Sequence, residues 1–235
     1  MCPINSSFDR LMIEIQNLVK QYSGLAGDIT VLDELELKVL KGDSIAIVGP
    51  SGCGKTTLLN ILGTLDIQSS GSVSITGKRL EGMDADERAR FRNRTLGFVF
   101  QQHFLLPQCS VLENVLIPRL AGEWQESEDE TRERAKKLIK ELGLEHRLEH
   151  MPFQLSGGER LRTAVARALI NQPALVLADE PTGSLDPSMG DQVADLFTQL
   201  NNQHDVTFVT VTHNMALANR MGRVYSLENG KLRQG

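Results

Sequence analysis

The string GPSGCGKT at positions 49–56 fits the spacing G-x-x-x-x-G-K-[ST]. Gly49, Gly52 and Gly54 let backbone N–H groups close around phosphate oxygens, and a helix leaving the loop would add the positive end of its dipole. Lys55 is placed to hold the β- and γ-phosphates of a nucleotide, and Thr56 to offer its hydroxyl to Mg²⁺. Ser51, Cys53 and Thr57 complete the phosphate-facing stretch. A plain glycine turn would explain the glycines but gives Lys55 and Thr56 no purpose at those offsets. Cys53 sits where only the backbone should matter, so thiol modification there is expected to block the nucleotide.

Two further strings carry chemistry. LVLADE at 175–180 is an apolar run ending in paired carboxylates. Asp179 can bind Mg²⁺ through water, and Glu180 is placed to orient or deprotonate an attacking water. Paired acids are often only the start of a loop, but beside the glycine string they read as catalytic. SGGE at 156–159 has a local explanation, since Ser156 followed three residues later by Glu159 is a helix capping box. Gly157 and Gly158 also leave room for a phosphate at that helix start, and both readings can hold.

The elements that must position these residues follow from periodicity. Residues 44–48 form a short apolar strand entering the glycine loop, and 56–65 leave it as a helix, which is the context such a loop requires. Alternation at Ile13 and Ile15 and over 31–39 predicts an antiparallel sheet, with Gly24 and Gly27 marking a loop between its strands. Further strands are expected at 71–76, 96–100, 174–178 and 206–212. The stretch 111–155 reads as helical, with Ala135, Leu138, Ile139 and Leu142 on one face. A helix continues from Ser156 through 160–170, and another spans 190–200 with Val193, Leu196, Phe197 and Leu200 inward. The acidic stretch 123–133 reads as a solvated loop and helix start. Strands alternating with helices imply an α/β core built on a parallel sheet.

Composition sets the outer bounds. A chain of 235 residues and 26.0 kDa buries enough surface to fold without disulfides or a structural metal. Its formal charge of -5 comes from dispersed acids, so no nucleic-acid partner is expected. Three cysteines, Cys2, Cys53 and Cys109, without a C-x-x-C pair point to a reducing compartment rather than a metal site. The N-terminus lacks a signal-peptide core, and the longest apolar runs fall far short of the roughly 20 residues that span a bilayer. Any membrane crossing is therefore expected from another chain.

The glycine string followed about a hundred residues later by LSGGE at 155–159 resembles the ATP-binding cassette family, over about 13–231. That resemblance implies a P-loop NTPase core of RecA type with a parallel sheet, an N-terminal antiparallel β-subdomain and an inserted helical subdomain. The whole chain, 1–235, would be one ATPase domain, with 13–100 and 160–235 as core plus β-subdomain and about 101–159 as the helical part. ATP and Mg²⁺ are the implied cofactors. By the same resemblance Asp179 and Glu180 form the metal site and the catalytic glutamate, and Gln101 senses metal and γ-phosphate. His213 is implied to contact the γ-phosphate, Asp186 to belong to the D-loop, and Tyr22 to stack on adenine. Residues 156–159 would bind the γ-phosphate held by a second copy, so the chain is expected to form a homodimer closed by ATP. Leu161 and Ser184 depart from the family's usual glutamine and asparagine. His103 reads as local packing, with a role at a partner interface left open.

Within the family, ILGTLD at 61–66, GFVFQ at 97–101, LLP at 105–107, ENV at 113–115, LADEPTG at 177–183 and VTH at 211–213 resemble the LolD-like and MacB-like group. Such ATPases lie on the cytoplasmic face of the membrane beside transmembrane permease subunits and power lipoprotein release or export. An FtsE-like signalling ATPase and the ATPase of an importer remain alternatives, and the cargo is not implied.

Overall fold

A computed structural model describes residues 10–24, 27–122, 124–186 and 189–235. In chain order, the first half forms β1 (Leu11–Gly24), β2 (Gly27–Leu40), β3 (Ser44–Val48), α1 (Lys55–Leu62), β4 (Ser70–Ile75), β5 (Lys78–Arg79), α2 (Ala85–Thr95) and β6 (Leu96–Val99). The helices α3 (Val111–Leu116), α4 (Glu128–Glu141) and α5 (Gly157–Leu169) follow. The chain then alternates through β7 (Leu175–Asp179), α6 (Gly190–His204), β8 (Thr207–Val211), α7 (Met215–Asn219), β9 (Arg223–Glu228) and β10 (Lys231–Gln234).

Among the described residues the strands form two sheets. One is antiparallel, in the order β2-β1-β4-β5, and the other runs β10-β9-β3-β8-β7-β6 with β3, β6, β7, β8 and β9 parallel. Strands β3, β6, β7 and β8 read as largely apolar runs because both faces are covered, whereas β9 keeps polar residues and an exposed end. Period-2 alternation divides them: Ile45, Ile47, Leu175, Leu177 and Val209 enter a core with α1 and the antiparallel sheet. Ala46, Val176, Ala178 and Phe208 enter a second core with α3 to α6. There Phe208 stacks on Phe197 of α6 with ring centroids 4.9 Å apart. Leu161, which replaces the family's usual glutamine, is 1% exposed in this second core, so the departure supplies apolar packing.

The expected mixed architecture is present, with several boundaries moved. Strands β1 and β2 run up to a Gly24–Gly27 pair, and residues 25 and 26 lie outside the described set. Helix α1 stops at Leu62 rather than at 65, because Gly63 caps it and Thr64 takes a left-handed φ of 55°. The stretch 111–155 is not one helical run: 3-10 turns at Ile117–Leu120, Glu145–Arg147 and Pro152–Gln154 interrupt it. Helix α6 continues to His204, beyond the expected 200. In the acidic stretch, Glu126 is not merely solvated, since it pairs with Arg119 at 3.0 Å and with Arg134, whereas Glu128 to Glu130 form the open first turn of α4. Cys2 and Glu123 lie outside the described residues.

Helix α2 has no expected counterpart, because only Phe91 is buried and no apolar stripe announces it. A capping box between Asp84 and Glu87 starts it. No helix among the described residues is long and apolar enough to cross a membrane.

Candidate active site

Strand β3 delivers the glycine loop from the centre of the parallel sheet, and α1 begins at Lys55. Only glycine fits at Gly49, where a Cβ would lie 2.4 Å from the Leu227 carbonyl oxygen of β9. The Cys53 sulfur lies against Gly49, and the half-buried side chain packs on the first core. Ser51 and Gly52 are exposed on the loop. The Lys55 ammonium donates to the carbonyls of Gly49 at 2.8 Å and Pro50 at 3.0 Å, which leaves one of its three N–H bonds for an incoming acceptor. The lysine is held over the loop by the loop itself.

Parallel pairing of β7 and β8 brings the other candidates to the same C-terminal end of the sheet. Asp179 Oδ1 lies 3.5 Å from the Thr56 hydroxyl. Burial, with the negative charge of Glu180 added, pushes the Asp179 carboxyl above its ordinary range. A hydroxyl and a half-buried carboxylate are hard oxygen donors, and a cation beside them would favour the charged form of Asp179. Among the described residues no group of three or more His, Cys, Asp or Glu is arranged around a metal. Two protein oxygens suit a Mg²⁺ that takes its remaining ligands from phosphate and water.

Glu180 follows β7 with a left-handed φ of 45° and donates its N–H to the Val211 carbonyl at 2.9 Å. Its Oε2 accepts from the Thr212 hydroxyl and the His213 N–H, both at 3.1 Å, and lies 2.8 Å from His213 Nδ1. A non-glycine residue in that region costs on the order of 1 kcal/mol and persists where its surroundings hold it. These bonds fix the carboxylate at the end of the strand. Gln101 packs on the turn after Glu180, since a Cβ on Gly183 would meet its amide nitrogen at 2.7 Å. The structure therefore brings Lys55, Thr56, Asp179, Glu180 and His213 to the C-terminal end of the parallel strands, with Gln101 against the adjoining turn.

Tyr22 stands 43% exposed near the end of β1, its hydroxyl 2.6 Å from Asp66 Oδ2 and beside the Thr57 side chain. The bond to Asp66 raises the phenol above its ordinary range. Lys20, two residues earlier on the same strand face, reaches Asp66 at 2.6 Å and lies 4.6 Å over the Tyr22 ring. Burial pushes Asp66 up, but bonds from Lys20 and Tyr22 hold it below its usual range. Sequence reasoning missed Lys20 and Asp66 as supports of the ring; the i, i+2 spacing of Lys20 and Tyr22 and the acid after α1 were the available signals.

Ser156 caps α5 by accepting from the Glu159 N–H at 3.2 Å, and Glu159 Oε2 accepts from the Ser156 N–H at 2.8 Å. Arg147, also unforeseen, donates to Glu159 at 2.8 Å. The Ser156 N–H bond and Arg147 lower the Glu159 carboxyl to about 2. Gly157 faces Leu185, which a Cβ would approach to 2.7 Å, and Gly158 faces Met189. Asp186 is exposed at the end of the same turn. Among the described residues none of the hydrogen bonds of 156–159 reaches the glycine loop, so the capped helix start is a second, separate group.

Residues 32–183 match the ABC transporter family. The chain is 50% identical over 221 residues to lipoprotein-releasing system ATP-binding protein LolD 1 of Rhodopirellula baltica, covering 94% of this chain and 96% of that protein. It is 47% identical over 224 residues to the LolD protein of Pseudomonas syringae pv. tomato, at 95% and 98% coverage. The fold superposes on the dimeric structure of MJ0796, a bacterial ABC transporter cassette, with a TM-score of 0.86 at 39% identity, covering 95% of this chain and 98% of that one. A post-hydrolysis state of the same cassette, bound to ADP and Pi, matches with a TM-score of 0.86 at 38% identity and the same coverage. The glycine loop, the carboxylates of β7 and these likenesses together establish that the chain belongs to the ABC transporter family, as one of its ATP-hydrolysing cassettes.

Proposed function

We propose that this cassette powers lipoprotein release, or a closely related export, as the ATPase of a membrane complex. The observation that carries the ATPase and dimer part of the reading is the division of the site: the glycine loop with Asp179, Glu180 and His213 forms one group, and the cap at 156–159 forms another. Two copies arranged head to tail would bring each group to the other's partner, with ATP between them. Names of relatives such as the LolD proteins supply the cargo class.

In this reading the loop amides and Lys55 bind the β- and γ-phosphates, and Tyr22 supports the base. Thr56 and Asp179, with Gln101 nearby, would hold Mg²⁺, which neutralises developing phosphate charge. Glu180, oriented by Thr212 and His213, takes a proton from the attacking water as its oxygen bonds the γ-phosphorus. The bond to the bridging oxygen breaks, and ADP and phosphate leave. Ser156 to Glu159 and Asp186 of the second copy close over the γ-phosphate, and hydrolysis lets the copies part.

Membrane subunits would dock beside Gln101. A groove of about 460 Å³ there is lined by Phe98, Phe100, Phe104, Ile117, Arg92 and Arg167, among others, and Phe104 is 60% exposed. The chain would then sit at the cytoplasmic face, with 101–159 moving as a unit.

Glu180→Gln tests the assignment: ATP binding persists while turnover falls about 10²- to 10⁴-fold. A rate within about threefold of wild type would refute it. Pull-down of the tagged Glu180→Gln protein from detergent-solubilised native membranes, with mass spectrometry, tests the complex. Partners with few transmembrane helices and a large extracytoplasmic domain support release or export. A many-helix permease would instead indicate an importer, and soluble proteins alone would remove the transport reading.

A further inference from the structure

His103 is 2% exposed in the loop after β6, and no step above uses it. Its backbone is left-handed, with φ 59°, as is that of Phe104, with φ 45°. Two such residues in succession persist only where neighbours hold them. Here Arg167 of α5 donates to the carbonyls of both. The ring spans two segments, with Nδ1 3.1 Å from the Phe100 carbonyl oxygen and Nε2 3.3 Å from Ser184 Oγ. A carbonyl only accepts, so Nδ1 carries the proton, and Nε2 of the neutral ring accepts from the Ser184 hydroxyl. Burial favours that neutral ring. Parallel contacts join the same segments: Gln101 lies on Gly183, and Leu185 lies against Gly157.

We propose that His103 is a positioning residue that ties the 181–186 turn, and with it Asp186, to the groove-side loop 101–104 through its hydrogen bond to Ser184. A membrane subunit docked against Phe100 and Phe104 thereby acts on the segment that faces the second copy. Ser184, where the family usually carries asparagine, is the hydroxyl this contact uses. The inference rests on the head-to-tail dimer proposed above.

The test compares ATP hydrolysis by wild type, Ser184→Ala, His103→Asn, His103→Gln and the double variant His103→Asn with Ser184→Ala. Asparagine keeps the bond to Phe100 but stops short of Ser184, whereas glutamine reaches Ser184 and gives up the Phe100 bond. Ser184→Ala and His103→Asn should each lower kcat about fivefold, the factor equivalent to one hydrogen bond, with KM for ATP unchanged. His103→Gln should stay within about twofold of wild type, and the double variant should be no worse than either single one. Wild-type kcat in both Ser184→Ala and His103→Asn, additive losses, or a KM that moves with kcat would overturn the proposal. Ser184 is exposed, so Ser184→Ala carries the test whether or not the His103 variants fold. Failure of Glu180→Gln protein to dimerise with ATP would sink the dimer reading instead.

Discussion

Replacing Glu159 by glutamine separates the two parts its carboxylate plays at the start of α5. The native group accepts from the Ser156 N–H at 2.8 Å and from Arg147 at 2.8 Å, with its side chain 12% exposed. Glutamine keeps an oxygen for Ser156 and loses the charge. A carboxyl held at about 2 against an ordinary 4.5 favours the folded charged form by at most about 3.4 kcal/mol, at 1.36 kcal/mol per pH unit. Arg147 is 32% exposed and screened, so about 1.5 to 2 kcal/mol is the realistic share.

Because the folded value lies below the unfolded one, this contribution is complete above about pH 4.5 and is lost as the pH falls toward about 2. By pH 3 about six-tenths of it is gone. Urea unfolding of wild type and Glu159→Gln, run in parallel from pH 7 to pH 3, measures it, because other carboxylates cancel in the difference. The gap should be about 1.5 to 2 kcal/mol at pH 7 and should shrink by more than half at pH 3. A gap that stays constant with pH, or one under about 0.5 kcal/mol at neutral pH, would refute the charge argument and leave only the cap.

Three further outcomes follow from single sites. Tyr22→Ala should weaken ATP binding by about tenfold through loss of stacking and burial, while Tyr22→Phe, which loses only the bond to Asp66, should cost less; equal losses by nucleotide titration would deny the ring its role. Leu161→Gln restores the family's usual residue at a position 1% exposed, and the buried amide with the lost apolar contact should cost about 2 to 4 kcal/mol and lower Tm by several degrees. An unchanged Tm would mean that the amide finds partners in the core. Alkylation of the half-buried Cys53 should be slow, should abolish ATP hydrolysis by crowding Gly49, and should be prevented by a Cys53→Ser substitution. Full activity in a completely labelled sample would reject that expectation.

What the sequence by itself determined is what a few adjacent residues decide. The glycine loop at 49–56, the capping box at 156–159 and the apolar strand ending in Asp179 and Glu180 are each local, because their geometry depends on backbone conformation and side chains within one or two turns. Periodicity likewise exposed the parallel strands β3, β6, β7 and β8 and the buried face of α4, since period 2 and period 3.6 are written along the chain, but not β9, whose Arg223–Glu228 run mixes polar and apolar residues. Helix α2 escaped because it buries only Phe91, and the breaks in 111–155 escaped because apolar spacing carries through short 3-10 turns.

Tertiary structure decided which distant segments meet. Thr56 faces Asp179 across 123 positions, Glu180 grips His213 across 33, Tyr22 leans on Asp66 across 44, and His103 reaches Ser184 across 81. None of these pairings leaves a periodic trace, because each depends on the order and register in which strands join the sheet, and that is set by packing of both cores at once.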